Sequence, residues 1–182
     1  MSIEQIQFIK QLFDGRFDKS GEEYWHHCLT VANMARVSAE IYKWSKSDCT
    51  ICYLIGLYHD VIEDTDYSLD KTMEAIQQFN NCNSKEIKEI RIGLDNITKR
   101  KHESYSQYTN RVCSSVYSLL VKIEDSRHNS ILERFPKTMQ TDQVIEKCNL
   151  YDQRVSQLTK IFNEHFNQKG ITYLNFNTQY FK

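Results

Sequence analysis

Chemistry concentrates in the segment Leu57-Tyr58-His59-Asp60-Val61-Ile62-Glu63-Asp64-Thr65. An apolar run ends in a His-Asp pair, and two adjacent carboxylates follow. Burying that much charge beside an apolar run is costly unless the groups are paired or bind a metal. If the helix continues for one more turn, Glu63 falls four residues after His59 and Asp64 four after Asp60, which gathers all four at one helix end. A lone His-Asp pair is common by chance and reads more simply as a helix end fraying into a solvated acidic loop. Two other segments weigh against that reading. His27 lies on the apolar face of an earlier helical pattern, and Lys122-Ile123-Glu124-Asp125-Ser126-Arg127-His128-Asn129 follows the apolar Leu119-Leu120-Val121, with Asp125 and Asn129 on one face. Two imidazoles and two carboxylates suit a borderline-hard divalent ion such as Mn²⁺, Fe²⁺ or Zn²⁺. A site with open positions binds water and lowers its pKa towards neutrality. Glu63 and Asp64 would then handle the proton or orient the water.

Helices must position these groups. Apolar periodicity predicts helices over about 3–13, 23–42, 48–62, 68–79, 84–98, 104–114, 116–132 and 139–167. Asp14-Gly15 stops the first, and Asp18 to Glu22 form a polar loop. In the second, His27, Val31 and Met34 share a face. Asp48 is the expected N-cap of the third, which is apolar on more than one side and so sits centrally. Pro136 separates the final two. The tail from Ile171 to Lys182 is rich in Asn and aromatics and has no readable period. It either packs back or pairs with a partner chain, so a homo-oligomer stays open.

Composition supports an all-α fold. The 182 residues suit one domain, with a motif-bearing core over about 15–132 and a C-terminal helix and tail over 139–182. Five Gly and one Pro are too few for the turns of an all-β chain. The 23 basic and 24 acidic residues leave a net charge of −1, so no global field favours a nucleic acid polymer or an anionic membrane. The charged first segment does not read as a signal peptide, and no apolar run is long enough to span a bilayer. Six Cys scattered through helical patterns are expected to be reduced thiols, which fits a cytoplasmic protein. Cys49-x-x-Cys52 lacks the second pair that structural zinc needs and reads as buried helix thiols.

In order, His27 … His59-Asp60 … Asp125 resembles the HD superfamily of metal-dependent phosphohydrolases, and more narrowly the (p)ppGpp 3′-pyrophosphohydrolase domain of RelA/SpoT proteins and the small alarmone hydrolases. Lys19-Ser20-Gly21-Glu22, Tyr24 and His27-x-x-x-Val31-Ala32 resemble the family's K-S-G-E-P-Y-x-x-H-P-x-x-V-A. His59-Asp60-x-x-Glu63-Asp64-Thr65 matches its H-D-x-x-E-D-T throughout. Asp95-Asn96-Ile97-Thr98-Lys99 is similar to D-G-V-T-K, and Val121 to Asn129 to V-K-L-A-D-R-L-H-N. The resemblance implies an HD helical bundle in which His27, His59, Asp60 and Asp125 hold a metal, usually Mn²⁺. It implies that Glu63 and Asp64 activate or position water for attack on a 3′-diphosphate. Asn129 would then contact the nucleotide sugar or phosphate, and Lys19 and Ser20 would line the nucleotide pocket. Activity on guanosine 3′,5′-bis(diphosphate) or a related nucleotide, in the setting of a stringent response, is the expectation. An HD-type nucleotide phosphomonoesterase and a non-catalytic nucleotide-binding regulator are the alternatives.

The chain departs from the family at several positions. Asp18 stands where the family has an Arg that packs on the purine, Cys28 replaces a Pro after the first ligand, and Leu132 stands where a small polar residue often helps hold the nucleotide. An aspartate there repels phosphates and cannot stack as a guanidinium does, so weak base discrimination is expected. Tyr105, Tyr108 and Arg111 resemble a Y-x-x-Y-x-x-R-V pattern of compact HD hydrolases. Arg111 either binds phosphate or pairs with Glu103 or another acid. Lys99-Arg100-Lys101-His102 reads first as a solvated loop and second as a lure for polyphosphate. His128, beside Asn129, is a candidate neighbour of the site.

Overall fold

A computed structural model describes residues 2–166, so the expectation for the 171–182 tail lies outside the described residues. The described chain is all-α, with α1 Ile3–Leu12, α2 Tyr24–Ile41, α3 Lys46–Tyr58, α4 Val61–Asp64, α5 Leu69–Phe79, α6 Ser84–Ile97, α7 Tyr105–Val112, α8 Val116–Ser130 and α9 Asp142–Phe166. Two 3₁₀ turns, Leu132–Arg134 and Lys137–Met139, flank Pro136 and delay α9 beyond its expected start. Gly15 leaves α1 with φ of 69°, the left-handed conformation that a glycine takes at little cost.

Capping fixes several starts. Ser45, not Asp48, caps α3. The Ser45 hydroxyl accepts from the Asp48 amide at 3.2 Å, and the Asp48 carboxylate accepts from the Ser45 amide at 3.2 Å. Asp48 therefore occupies the third position of a capping box rather than the cap. Asn83 with Glu86 and Ser104 with Gln107 start α6 and α7 in the same way.

The predicted third helix also breaks earlier than its pattern suggests. It ends at Tyr58, turns through His59 and Asp60, and restarts as the single turn α4. Asp60 adopts φ −99° and ψ −2°, near the bridge region where turn residues sit.

α3 is central, as its all-round apolarity requires. Every residue from Ile51 to Tyr58 is buried, and α8 contributes Leu119, Leu120, Val121 and Ile123 beside it. Each large aliphatic side chain so buried stabilises the fold by about 1.5–3 kcal/mol. α2 lies against α3 at close range: a Cβ on Gly56 would stand 2.7 Å from the Ala32 Cα, so only glycine permits this approach. α9 closes the bundle, with Phe162 fully buried and its ring 5.1 Å from that of Tyr42. Cys49 and Cys52 are free buried thiols, as expected.

Candidate active site

Three helices converge on one point. His27 comes from the second turn of α2, Asp125 from the inward face of α8, and His59 with Asp60 from the break between α3 and α4. That break gives the consecutive pair a shared direction that a continuous helix, with its turn of about 100° per residue, would deny it. His27 Nε2 lies 3.3 Å from Asp125 Oδ1 and 3.6 Å from Asp60 Oδ2. His59 Nε2 lies 2.9 Å from Asp60 Oδ2 and 3.7 Å from Asp125 Oδ1. Ligands about 2.0–2.2 Å from one ion stand about 3–3.6 Å apart at octahedral or tetrahedral angles, so this spacing is that of a coordination shell. The donor atoms of His27, His59 and Asp60 all lie within 4.8 Å of one another, and Asp125 joins them through the two imidazoles.

The hydrogen bonds around these groups support the same reading. His59 Nε2 is buried and faces the Asp60 and Asp125 carboxylates. Its other nitrogen, Nδ1, is 2.8 Å from the Gly56 carbonyl and donates to it, which leaves Nε2 bare for a metal. His27 Nδ1 meets His128 Nδ1 at 2.7 Å. Tyr24 donates its hydroxyl to Asp60 Oδ2 at 2.7 Å. Lys122 and Asn129, on the Asp125 face of α8, donate to the two Asp125 oxygens at 2.7 Å each. All four candidate ligand side chains are thus oriented by neighbours, and the donor set fits a divalent ion.

Electrostatics agree. Burial alone would lower His59, but the carboxylates of Asp60 and Asp125 outweigh it and raise the imidazole to about 10. His27 is raised too, against burial, by hydrogen bonds to Asp125 and Asp60. Burial would raise Asp60, yet the His59 and His27 charges hold it well below the carboxylate range. Lys122 and the two imidazoles do the same for Asp125. His128 is held neutral: burial first, then the neighbouring His27 charge, lower it to about 3. In the metal-free protein, a proton on His59 therefore supplies positive charge that a metal would bring.

The site opens into a cavity of about 440 Å³, within the range of small-molecule sites. His27, Asp60, Asp125, Lys122 and Asn129 line its inner part. Lys19 and Lys147 face the same space, and the Lys147 ammonium together with partial burial lowers Lys19 to about 8. Two cations placed together in one cavity suit a polyanion.

The Asp18 carboxylate accepts from the Ser20 hydroxyl at 2.6 Å and from the Ser20 and Glu22 amides at 2.8 and 3.1 Å. It also pairs with Arg134, which donates to the His128 carbonyl at 2.9 Å. This corrects the expectation that Asp18 presents a repelling charge to the substrate, because Arg134 neutralises it.

Other predicted residues sit differently. Ser20 is buried and holds Asp18 rather than lining the cavity. Glu63 and Asp64 stand on α4 outside the cavity lining, with Glu63 Oε1 accepting from the Lys99 amide at 2.5 Å and Asp64 4.0 Å from Arg16. Partial desolvation raises both carboxyls above their ordinary values. Arg111 is bidentate on Glu103 at 2.7 Å for each bond, and it also donates to the Thr98 carbonyl at 2.8 Å. The pairing alternative therefore holds for Arg111, and a phosphate-binding role is set aside. Lys147, Arg134, Phe17 and Tyr151 were missed by sequence reading, because no local period or motif marks them as facing a site. His128 was flagged only by its neighbour Asn129.

The HD domain family model matches residues 24–152. A solved structure described as "A metazoan ortholog of SpoT hydrolyzes ppGpp and plays a role in starvation responses" has a similar fold. It shows a TM-score of 0.55 and 18% identity, and the match covers 89% of this chain and 93% of that one. No curated protein sequence matches the chain. With more than half of its length under the family model and the His, His-Asp and Asp donors of that segment drawn to one point, the chain belongs to the HD domain family.

Proposed function

We propose that the protein is a metal-dependent nucleotide pyrophosphohydrolase that removes the 3′-diphosphate of guanosine 3′,5′-bis(diphosphate) or a related nucleotide, with Mn²⁺ as its ion. One observation carries the reading: a donor set spaced like a coordination shell lines, through His27, Asp60 and Asp125, a cavity whose wall also holds Lys19 and Lys147. The likeness to the metazoan ppGpp hydrolase supports it.

His27, His59, Asp60 and Asp125 would hold the ion, which when bound supplies a Lewis acid and an acidified water. Lys122, on the cavity wall beside Asp125, can bind a non-bridging phosphate oxygen. Lys19 and Lys147 bind the second phosphorylated end. Asn129 is positioned to reach the sugar or a phosphate. Glu63 and Asp64, with raised carboxyls on α4, take up the proton of the attacking water once Glu63 leaves the Lys99 amide.

That seat of Glu63 on Lys99 is also the observation that favours the second reading, a nucleotide-binding regulator without turnover. Incubating the Mn²⁺-loaded protein with a nucleotide panel separates the readings. Pyrophosphate release from 3′-diphosphorylated nucleotides is expected. Release of phosphate from ordinary nucleoside monophosphates would instead identify a phosphomonoesterase, and tight nucleotide binding without any product would identify a regulator.

A further inference from the structure

We infer that Phe17 is the stacking platform for the substrate's base and that this platform selects a planar heteroaromatic ring without reading which base it is. The inference rests on the nucleotide reading above and extends it to a subsite.

Phe17 is a large apolar side chain left 64% exposed, and it lines the same cavity as the metal-ligand candidates. Its exposure is not that of a fraying loop. An isolated antiparallel bridge pairs Phe17 with Glu23, the Asp18 amide donates to the Glu22 carbonyl at 2.8 Å, and the Tyr24 amide donates to the Arg16 carbonyl at 3.0 Å. The Asp18 carboxylate ties the turn together from inside and anchors it to Arg134. The backbone therefore holds Phe17 at a fixed place on the cavity wall.

The cavity lining combines three chemistries. It offers the candidate metal ligands His27, Asp60 and Asp125, the cations Lys19 and Lys147, and an apolar set in which Phe17 is the exposed ring. A phosphate fits the first, a further phosphate the second, and a nucleobase the third. Phe offers a π-face and no hydrogen-bonding group, and stacking on such a face tolerates every base. The Asp18 carboxylate beside it is committed to the Ser20 hydroxyl, the Ser20 and Glu22 amides and Arg134, so it is not a free group for reading a base edge. The tolerance for guanine and adenine thus follows from what Phe17 lacks, rather than from a repelling charge at Asp18.

The test measures binding of guanosine and adenosine 3′,5′-bis(diphosphate) and of inorganic pyrophosphate to the Mn²⁺-loaded full chain in a Glu63→Gln background, which slows cleavage of the nucleotides, with Phe17 intact as the parent and with Phe17→Ala and Phe17→Trp. Phe17→Ala is expected to weaken both nucleotides by about tenfold and by similar factors. Pyrophosphate and Mn²⁺ affinities should stay within twofold of the parent, and Phe17→Trp should restore nucleotide binding. Unchanged nucleotide affinity in Phe17→Ala overturns the inference, as does a loss confined to one base. A change of oligomeric state with nucleotide binding intact also overturns it, because the ring would then serve a protein contact. A parent that binds pyrophosphate but neither nucleotide overturns the nucleotide reading itself, and this inference with it.

Discussion

His59 shows how the site is prepared residue by residue. Its Nδ1 is committed to the Gly56 carbonyl and its Nε2 is bare among carboxylates, so the ring can offer a lone pair only after losing a proton. Metal and proton therefore compete. His59 is raised to about 10 and His27 is raised as well, so at pH 7 Mn²⁺ binding should release protons and tighten as pH climbs towards 10. Calorimetry in buffers of different ionisation enthalpy measures that release, and binding without proton exchange would contradict the charge assignment. The same shifts fix the sign for the metal-free fold. The stability due to His59 is full below its ordinary pKa of about 6.5 and is lost as pH rises through about 10. In the proposed mechanism Glu63 acts on the attacking water rather than on the ion. Glu63→Gln is expected to keep Mn²⁺ affinity and lose ~10²–10⁴-fold in turnover. Parental turnover in that variant would remove Glu63 from the mechanism. The four candidate ligands were legible in the sequence because each stands beside an apolar run and because their order matches the motifs of the family the chain resembles. Lys147, Arg134 and Phe17 were not, since their common cavity is made by tertiary packing between segments far apart in the chain.

At the scale of elements, the helices were legible and their ends less so. Periodicity located α2, α3 and α8, but it carried α3 through His59 and Asp60 because Val61 and Ile62 keep the apolar pattern going across the break. The cap of α3 was misplaced for a similar reason: Ser45 and Asp48 are both capping types, and only the reciprocal bonds show which residue is the cap. Two contacts between elements carry the site. Gly56→Ala would set a methyl 2.7 Å from the Ala32 Cα and push α2, with His27, away from α3, with His59. A stability loss of about 1–3 kcal/mol is expected, together with weaker metal binding. A Gly56→Ala protein with parental melting and Mn²⁺ affinity would show that the approach is not needed. The Asp18–Arg134 pair, with side chains 9% and 16% exposed, fastens the Phe17–Lys19 turn to the segment after α8. Breaking one partner of such a pair costs about 3 kcal/mol. Asp18→Arg, which the sequence alone would favour as a gain of guanine preference, is expected to destabilise the protein by setting two guanidiniums together. Combining it with Arg134→Asp should recover part of the loss in a denaturant titration. Stability of Asp18→Arg equal to the parent's would refute the clasp.

Across the whole molecule, the core and the site are made by the same helices. α2, α3 and α8 bury apolar side chains such as Met34, Leu54 and Leu120 and also hold His27, His59 at the end of α3, and Asp125. An ion that joins the three should therefore stabilise the entire described bundle. At a free concentration of 100 times its Kd it contributes about 2.7 kcal/mol. The composition made the all-α class readable from few Gly and Pro, while the cavity between α2, α8, α9 and the Phe17 turn could not be read, because α9 carries no motif. The account stands on one ion being shared among these helices. Its most direct test is a calorimetric titration of Mn²⁺ into the metal-free full chain and into its Asp60→Ala and Asp125→Ala variants. The parent is predicted to take up one ion per chain and each variant to lose saturable binding while keeping its helical circular dichroism. Undiminished binding in either variant, or a parent that binds no ion, would contradict it.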